Sequence, residues 1–274
     1  MNQFSRTELL FGRTGMERLA AARVAVFGIG GVGGYTAEAL ARSGVGALDL
    51  FDDDRICITN LNRQIFATRK TVGQYKTEAA AARLLEINPD LKITEHRLFY
   101  TPKNADTVDL AVYGSIADAV DTVSAKIELV LRAQAANVPI VSCMGAGNKL
   151  DASAFRADDI YNTSVCPLAK VMRSELRKRG VKALRVVYSR EEPLKPIEDG
   201  ELNCKNHCVC PPETKRTCAA RRQIPGSNAY VPAAAGLIMA GEIVSNMLKS
   251  VDRGRTEWYN TAYVSDNISR RVGV

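Results

Sequence analysis

Short apolar runs alternate with segments of helical periodicity in the first part of the chain. Arg23–Gly28 (RVAVFG) and Ala47–Asp52 (ALDLFD) are apolar enough to be buried strands. Between them, Tyr35–Arg42 is rich in Ala and Leu and is closed by Ser43-Gly44, which is typical of a short helix. A strand, a glycine turn, a helix and a second strand form a βαβ unit, whose strands are parallel. We therefore expect an α/β fold with a doubly wound, mainly parallel sheet.

The same alternation continues along the chain. It predicts helices at about Gln74–Ile87, Val123–Ala136, Pro167–Arg179 and Ala233–Leu248, and strands near Ile93–Arg97, Ile140–Cys143, Leu184–Ser189 and Trp258–Val264. Residues 191–227 show no periodicity and hold many of the Pro and Cys residues, so we expect a long irregular loop there. The interpretation is a single domain spanning residues 1–274, with an N-terminal arm over residues 1–20.

Composition places the chain among ordinary globular proteins. Its 274 residues are 46% hydrophobic and 24% charged, which excludes collagen-like, disordered and disulfide-scaffold classes. The net charge of +7 permits a phosphate-rich partner without requiring one. The polar start Met1–Glu8 is unlike a signal peptide, and the uncharged stretch Gln223–Gly241 is too interrupted to span a membrane. These features favour a cytoplasmic protein with no membrane partner.

A glycine-rich turn follows the first predicted strand and precedes the first predicted helix. Gly28, Gly30, Gly31 and Gly33 would let the backbone approach a phosphate at a helix N-terminus, as in Rossmann-like folds. Asp52 stands 19 residues after Gly33, at the end of the next strand, where an acid can bind ribose hydroxyls. This combination suits an enzyme that uses ATP and equally one that uses a nicotinamide cofactor, and a tight turn without any ligand is a third interpretation.

The polar segment after Asp52 favours a polyphosphate. Asn60, Arg63 and Gln64, followed by Lys76, supply amides and two cations close to the ribose acid. Cleavage of a triphosphate requires the charge on the departing pyrophosphate to be neutralised. Taken singly, Lys76 could be a solvated lysine and Arg63 a salt-bridge residue.

Two acids precede the predicted helix at Val123. Asp118 and Asp121 come where a strand should end, so that Asp121 is suited to hold Mg²⁺ together with phosphates. The competing interpretation makes Asp121 the N-cap of the helix.

The sequence resembles the ubiquitin-activating-enzyme (ThiF/MoeB/HesA) superfamily. The resemblance rests on five features in this order: Gly28–Gly33, Asp52, Asn60–Gln64, Lys76 and Asp121. Further segments are most similar to the tRNA threonylcarbamoyladenosine dehydratases (TcdA/CsdL type) within it. These segments are Phe4–Thr7, Gly145–Asp151, Ser164–Ala169, Val187–Ser189, Pro225–Ser227 and Val231-Pro232. Tyr113–Ile116 departs from the pattern, because Gly114 and Ser115 make a weaker strand than the family has.

The resemblance implies an ATP-dependent ligase or dehydratase chemistry. The carboxylate of N6-threonylcarbamoyladenosine, at tRNA position 37, is adenylated, and cyclisation then releases AMP. It further implies that the glycines bind ATP together with Asp52, Asn60 and Gln64. Arg63, Lys76 and Asp121 would act on the phosphates and Mg²⁺. Arg6 would reach the ATP of a partner subunit. The expected cofactors and partners are thus ATP, Mg²⁺, tRNA and a second copy in a homodimer.

The cysteines add a second possible metal site. Cys204, Cys208, Cys210 and Cys218 could hold Zn²⁺, although no CxxC pair is present. Cys218 has basic neighbours and could instead be a reactive thiol or an unliganded loop residue. A cysteine desulfurase or sulfur-acceptor proteins are further candidate partners. Cys57, Cys143 and Cys166 are most simply buried apolar residues.

Two further questions stay open at the level of sequence. The basic helix from Lys170 to Arg179 could contact tRNA phosphates or form a solvated face. The function itself has alternatives: an adenylyltransferase for the C-terminus of a ubiquitin-like sulfur-carrier protein, a non-catalytic nucleotide-responsive scaffold, and a nicotinamide enzyme.

Overall fold

The computed structural model describes residues 2–197 and 225–249. Its sheet has seven strands in the order β3-β2-β1-β4-β5-β7-β6. They are β1 (Arg23–Phe27), β2 (Ala47–Phe51), β3 (Lys92–His96), β4 (Ser115–Asp118), β5 (Ile140–Cys143), β6 (Phe155–Asp159) and β7 (Arg185–Ser189). All neighbouring strands are parallel except β6, which runs antiparallel to β7 at one edge.

Helices cover both faces of this sheet. They are α1 (Ser5–Ala21), α2 (Gly33–Arg42), α3 (Lys76–Ile87), α4 (Val123–Ala135), α5 (Pro167–Lys178) and α6 (Val231–Leu248). On one face Val24 and Val26 of β1 belong to the core that contains α2 and α6. On the other face Ala25 and Phe27 join the core that contains α4 and α5. Burial on both faces explains why β1 is apolar after its first residue, Arg23, and the doubly wound, Rossmann-like fold is confirmed.

Two elements were not predicted. The N-terminal arm is helical from Ser5 and kinks at Gly12, whose backbone is non-helical (φ 69°, ψ 168°). The edge strand β6 has the sequence FRADD, whose charges conceal a strand pattern. The other elements end within two residues of the predicted limits. The weak position Ser115 is accommodated in β4, where its hydroxyl donates a hydrogen bond to the carbonyl of Pro139 (3.3 Å).

Several predictions fall on residues outside the described ranges. These are the strand Trp258–Val264, the four cysteines at 204, 208, 210 and 218, and most of the irregular loop. The three remaining cysteines, Cys57, Cys143 and Cys166, are buried free thiols as expected.

Helix α6 is the most apolar helix of the described part of the chain. By length and composition it would suffice to cross a membrane, and half of its residues are buried inside the protein. It packs against α2, β5 and β6, and this core position accounts for its apolar sequence.

Candidate active site

The glycine turn lies at the carboxyl end of β1, next to the carboxyl end of β4. The strands that follow β1 along the chain, β2 and β3, lie on one side of it, whereas β4 and β5 lie on the other side. The point between β1 and β4 is therefore the topological switch point, where doubly wound folds bind ligands. Gly28 has φ +88°, and a Cβ there would lie 2.7 Å from the carbonyl oxygen of Ala119. A Cβ on Gly33 would lie 1.8 Å from the carbonyl oxygen of Gly28. Both glycines are therefore required by the fold itself.

Gly30 differs from these two glycines. Its ideal Cβ would meet nothing closer than Gln64 Nε2, at 3.9 Å. A Cβ on Gly31 would lie 3.1 Å from Pro232 and 3.4 Å from the aliphatic part of Arg63. The predicted residues Gly30, Gly31, Arg63 and Gln64 are thus brought together, with open space above Gly30 that a ligand can enter.

Asp52 follows β2 directly and joins the turn to the acidic segment. Its Oδ2 accepts a hydrogen bond from the amide of Ile29 (2.8 Å), and its Oδ1 accepts one from the amide of Asp54 (2.9 Å). Ligand oxygens of Asp52, Asp53 and Asp54 all lie within 4.8 Å of one another. Asp52 therefore holds the turn in shape while remaining at its rim.

Lys76 is the first residue of α3 and is buried at this acidic cluster. Its Nζ lies 2.8 Å from Asp54 Oδ2 and 3.7 Å from Asp52 Oδ2. The ion pair with Asp54 was not foreseen from sequence. It holds the ammonium within 3.7 Å of Asp52 and offsets the repulsion between the neighbouring carboxylates.

Asn60 and Arg63 belong to the connection between β2 and α3. Asn60 ends a short 3₁₀ turn, and its Oδ1 accepts a hydrogen bond from the amide of Cys57 (3.1 Å). A guanidinium nitrogen of Arg63 donates to the carbonyl of Thr59 (3.1 Å) and to Asn62 Oδ1 (2.9 Å). Local hydrogen bonds therefore hold the guanidinium in place, and the aliphatic part of Arg63 lies against Gly31 of the glycine turn.

The loop between β4 and α4 carries the two predicted acids in different environments. Asp118 is fully buried, and its Oδ2 lies 3.0 Å from Lys126 Nζ and 2.5 Å from Ser142 Oγ. Asp121 is exposed and accepts a hydrogen bond from Thr122 Oγ1 (3.3 Å). Thr122, not Asp121, occupies the N-cap position of α4. The N-cap interpretation of Asp121 is therefore wrong, and its carboxylate lies in the connection that follows the carboxyl end of β4.

Lys126 and Ser142 were not singled out from sequence. Lys126 lies on the stripe of α4 that also carries the buried Leu129, Val130 and Ala133. The sequence did carry a signal for this ion pair. It places a lysine at a core position of a helix shortly after an acid that ends a buried strand.

A cleft of about 580 Å³ opens beside the glycine turn. Val32 and Asp121 line one side, and the segments 143–149, 166–168 and 193–196 line the rest together with Pro225. Lys149 is a buried cation in this lining, and its Nζ donates to the carbonyl of Glu191 (2.5 Å). Burial lowers the pKa of Lys149 from its ordinary value. The cleft is large enough for a small organic group next to the turn.

Arg6 lies apart from these residues in the single chain. It is exposed on α1, near Leu9 and Leu10, which are 85% and 73% exposed. The described chain therefore does not bring Arg6 into its own cleft. His96 also lies outside the cleft: its Nε2 is 2.8 Å from Asp49 Oδ2, a structural position.

Comparison with known proteins agrees with this geometry. The ThiF family model matches residues 4–272. The tRNA threonylcarbamoyladenosine dehydratase of Bacillus subtilis is 41% identical over 94% of this chain and 99% of the relative, and that of Escherichia coli is 32% identical over 92% and 95%. Crystal structures of E. coli TcdA give TM-scores of 0.77 with AMP bound and 0.76 with ATP bound, at 31% and 30% identity. They cover 90% and 92% of this chain, and 94% and 96% of theirs. The chain belongs to the ThiF family and, within it, groups with the tRNA threonylcarbamoyladenosine dehydratases.

Proposed function

We propose that this chain is an ATP-dependent dehydratase that adenylates the carboxylate of N6-threonylcarbamoyladenosine in tRNA and promotes its cyclisation. The observation that carries the proposal is the cleft beside the glycine turn, at the switch point between β1 and β4, which is lined by Val32 and Asp121. It agrees with the ATP and AMP complexes of the E. coli relative. All described elements belong to one sheet with its covering helices, in keeping with a single adenylating domain.

In the first step a carboxylate oxygen of the substrate attacks the α-phosphorus of ATP. The bond between the α-phosphorus and its bridging oxygen breaks, pyrophosphate leaves, and an acyl-adenylate forms. We assign the ribose to Asp52 and the phosphates to Asn60, Arg63 and Lys76, with Gln64 beside them. Because Lys76 already contacts Asp54 (2.8 Å), its ammonium would share its donors between that acid and a phosphate.

Mg²⁺ fits Asp121 chemically. Mg²⁺ prefers oxygen ligands and is often held by one or two carboxylates together with substrate phosphates. Asp121 offers such a carboxylate at the exposed edge of the cleft. When bound, the ion neutralises phosphate charge.

In the second step a nitrogen of the substrate's own urea group attacks the activated acyl carbon. The acyl–oxygen bond breaks, AMP leaves, and the nitrogen loses its proton, so that the elements of one water are removed overall. Since AMP is a good leaving group and the nucleophile is intramolecular, the protein needs positioning more than a nucleophilic side chain.

The same proposal includes a homodimer in which Arg6 completes the neighbouring site. The exposed Leu9 and Leu10 on the same helix support it, since adjacent exposed leucines suit a protein interface. A cytoplasmic location follows from the need for tRNA and ATP. Partners in sulfur transfer and Zn²⁺ at the four cysteines remain predictions.

The test compares tRNA nucleosides by mass spectrometry in cells with and without this chain. Loss of the cyclised nucleoside with accumulation of its open precursor is expected. In vitro, Asp121→Ala should abolish AMP formation with threonylcarbamoylated tRNA. The control Asp90→Ala changes an exposed acid outside the cleft lining and should leave AMP formation unchanged. AMP formation that required a ubiquitin-like protein instead of tRNA would overturn the proposal and favour the adenylyltransferase alternative.

A further inference from the structure

One face of α5 presents a dense set of cations to solvent. Lys170, Arg173, Arg177 and Lys178 line a surface groove of about 390 Å³ together with Ser174. We call these five residues the α5 basic face. Arg179 follows at the end of the helix, and Glu175 is the one acid between Pro167 and Arg179.

The cations of this face differ in how they are held. Arg173 donates to the carbonyl and hydroxyl oxygens of Thr163, and the guanidinium of Arg177 lies 5.2 Å from the ring centroid of Tyr161. Lys178 and Arg179 both pair with Glu175, at 2.8 and 2.6 Å. One acid thus serves two cations, and the face keeps a clear positive excess.

The α5 basic face begins where the cleft ends. Pro167 and Leu168, the first residues of α5, line the cleft beside Asp121. With a rise of about 1.5 Å per residue, Lys170 stands roughly 5 Å and Arg177 roughly 15 Å along the helix from that end. A polymer whose reacting group sits in the cleft can therefore reach this face along α5.

We propose that the α5 basic face binds the phosphate backbone of the tRNA on one side of the nucleoside that enters the cleft, an inference that rests on the proposed function. Charge-dense contacts from Lys and Arg dominate nucleic-acid interfaces. The centres of protein interfaces, in contrast, are depleted of charge and of lysine. Cations recurring about once per helical turn, at 170, 173 and 177, suit a chain of regularly spaced phosphates.

The test measures tRNA affinity as a function of salt for Lys170→Ala/Arg177→Ala. Both side chains are exposed, so the fold should tolerate their loss. The matched control is Lys92→Ala/Lys103→Ala: both lysines are exposed, and Lys92 lies on β3, at the opposite edge of the sheet from β6. We expect the dissociation constant to rise at least about tenfold and the salt slope to fall by about 2 in the α5 variant only. KM for tRNA should rise with kcat little changed, and ATP affinity should be unchanged.

Equal tRNA affinity and salt slope in the two variants would overturn the assignment of this surface. So would tighter binding of wild-type protein to polyglutamate than to tRNA, which would point to an acidic protein partner. The proposed function fails differently, because wild-type protein would then bind threonylcarbamoylated tRNA and form no AMP from ATP in its presence.

Discussion

Lys126 Nζ lies 3.0 Å from Asp118 Oδ2, and neither side chain is more than 1% exposed. The same ammonium reaches Ser142 Oγ (3.3 Å), whose hydroxyl donates to Asp118. Asp118 ends β4 and Ser142 lies in β5. The ion pair therefore joins α4 to the end of β4, and the hydrogen bonds of Ser142 connect both to β5. Asp118 comes three residues before Asp121 in the same connection.

Lys126→Met should leave the buried carboxylate of Asp118 without its counter-charge. We expect the free energy of unfolding to fall by about 3–5 kcal/mol in denaturant titrations. Lys92→Met, at an exposed lysine, should change it by less than about 0.5 kcal/mol. Adding Asp118→Leu to Lys126→Met should recover part of the loss. A loss no greater than that of the control would show that the pair is not structurally important.

Gly33→Ala and Gly30→Ala should separate folding from nucleotide binding. A Cβ at Gly33 meets backbone at 1.8 Å, so this variant should be strongly destabilised. A Cβ at Gly30 has room within the chain, so this variant should keep its melting temperature and lose ATP affinity, because its methyl group occupies the space above the turn. Thermal unfolding with and without ATP distinguishes the two. Unchanged ATP affinity in Gly30→Ala would mean that the nucleotide does not approach this turn.

Local patterns were sufficient to predict the core of the fold and the position of the glycine turn. Asp52 follows β2 directly and Lys76 begins α3. Both positions could be predicted because the ends of a strand or a helix can be recognised from neighbouring residues. The partnership of Lys76 with Asp54 and of Lys126 with Ser142 depends on contacts between distant segments, which periodicity does not encode. β6 was missed because three of its five residues are charged.

Asp49 should make the free energy of unfolding depend on pH in the acidic range. Burial by itself raises the pKa of Asp49, but hydrogen bonds from Arg23, His96 and Tyr113 outweigh burial and hold that pKa below its ordinary value. This stabilisation is complete above the unfolded-state pKa of about 4 and is lost as the pH falls through the lower folded-state value.

Asp49→Asn should therefore flatten the fall in unfolding free energy below about pH 4. Urea titrations at a series of acidic pH values measure the slope. Asp90→Asn, at an exposed acid, is the control and should keep the wild-type slope. An unchanged slope in Asp49→Asn would contradict the assignment.

Arg6 should act across the subunit interface. Arg6→Ala and Asp121→Ala should each be inactive alone, because each lacks one group in every site. Mixed after reversible dissociation, they should regain about a quarter of wild-type AMP formation, since random pairing gives some dimers one site with both residues intact. No recovery in a mixture shown to exchange subunits would exclude action of Arg6 in trans.

The proposed reaction begins when the substrate's carboxylate attacks the α-phosphorus of ATP. The most direct measurement supplies tRNA whose threonylcarbamoyl carboxylate carries ¹⁸O and follows the label by mass spectrometry. One labelled oxygen is expected in AMP and none in pyrophosphate. Label in inorganic phosphate with release of ADP, or label in water with unlabelled AMP, would contradict it.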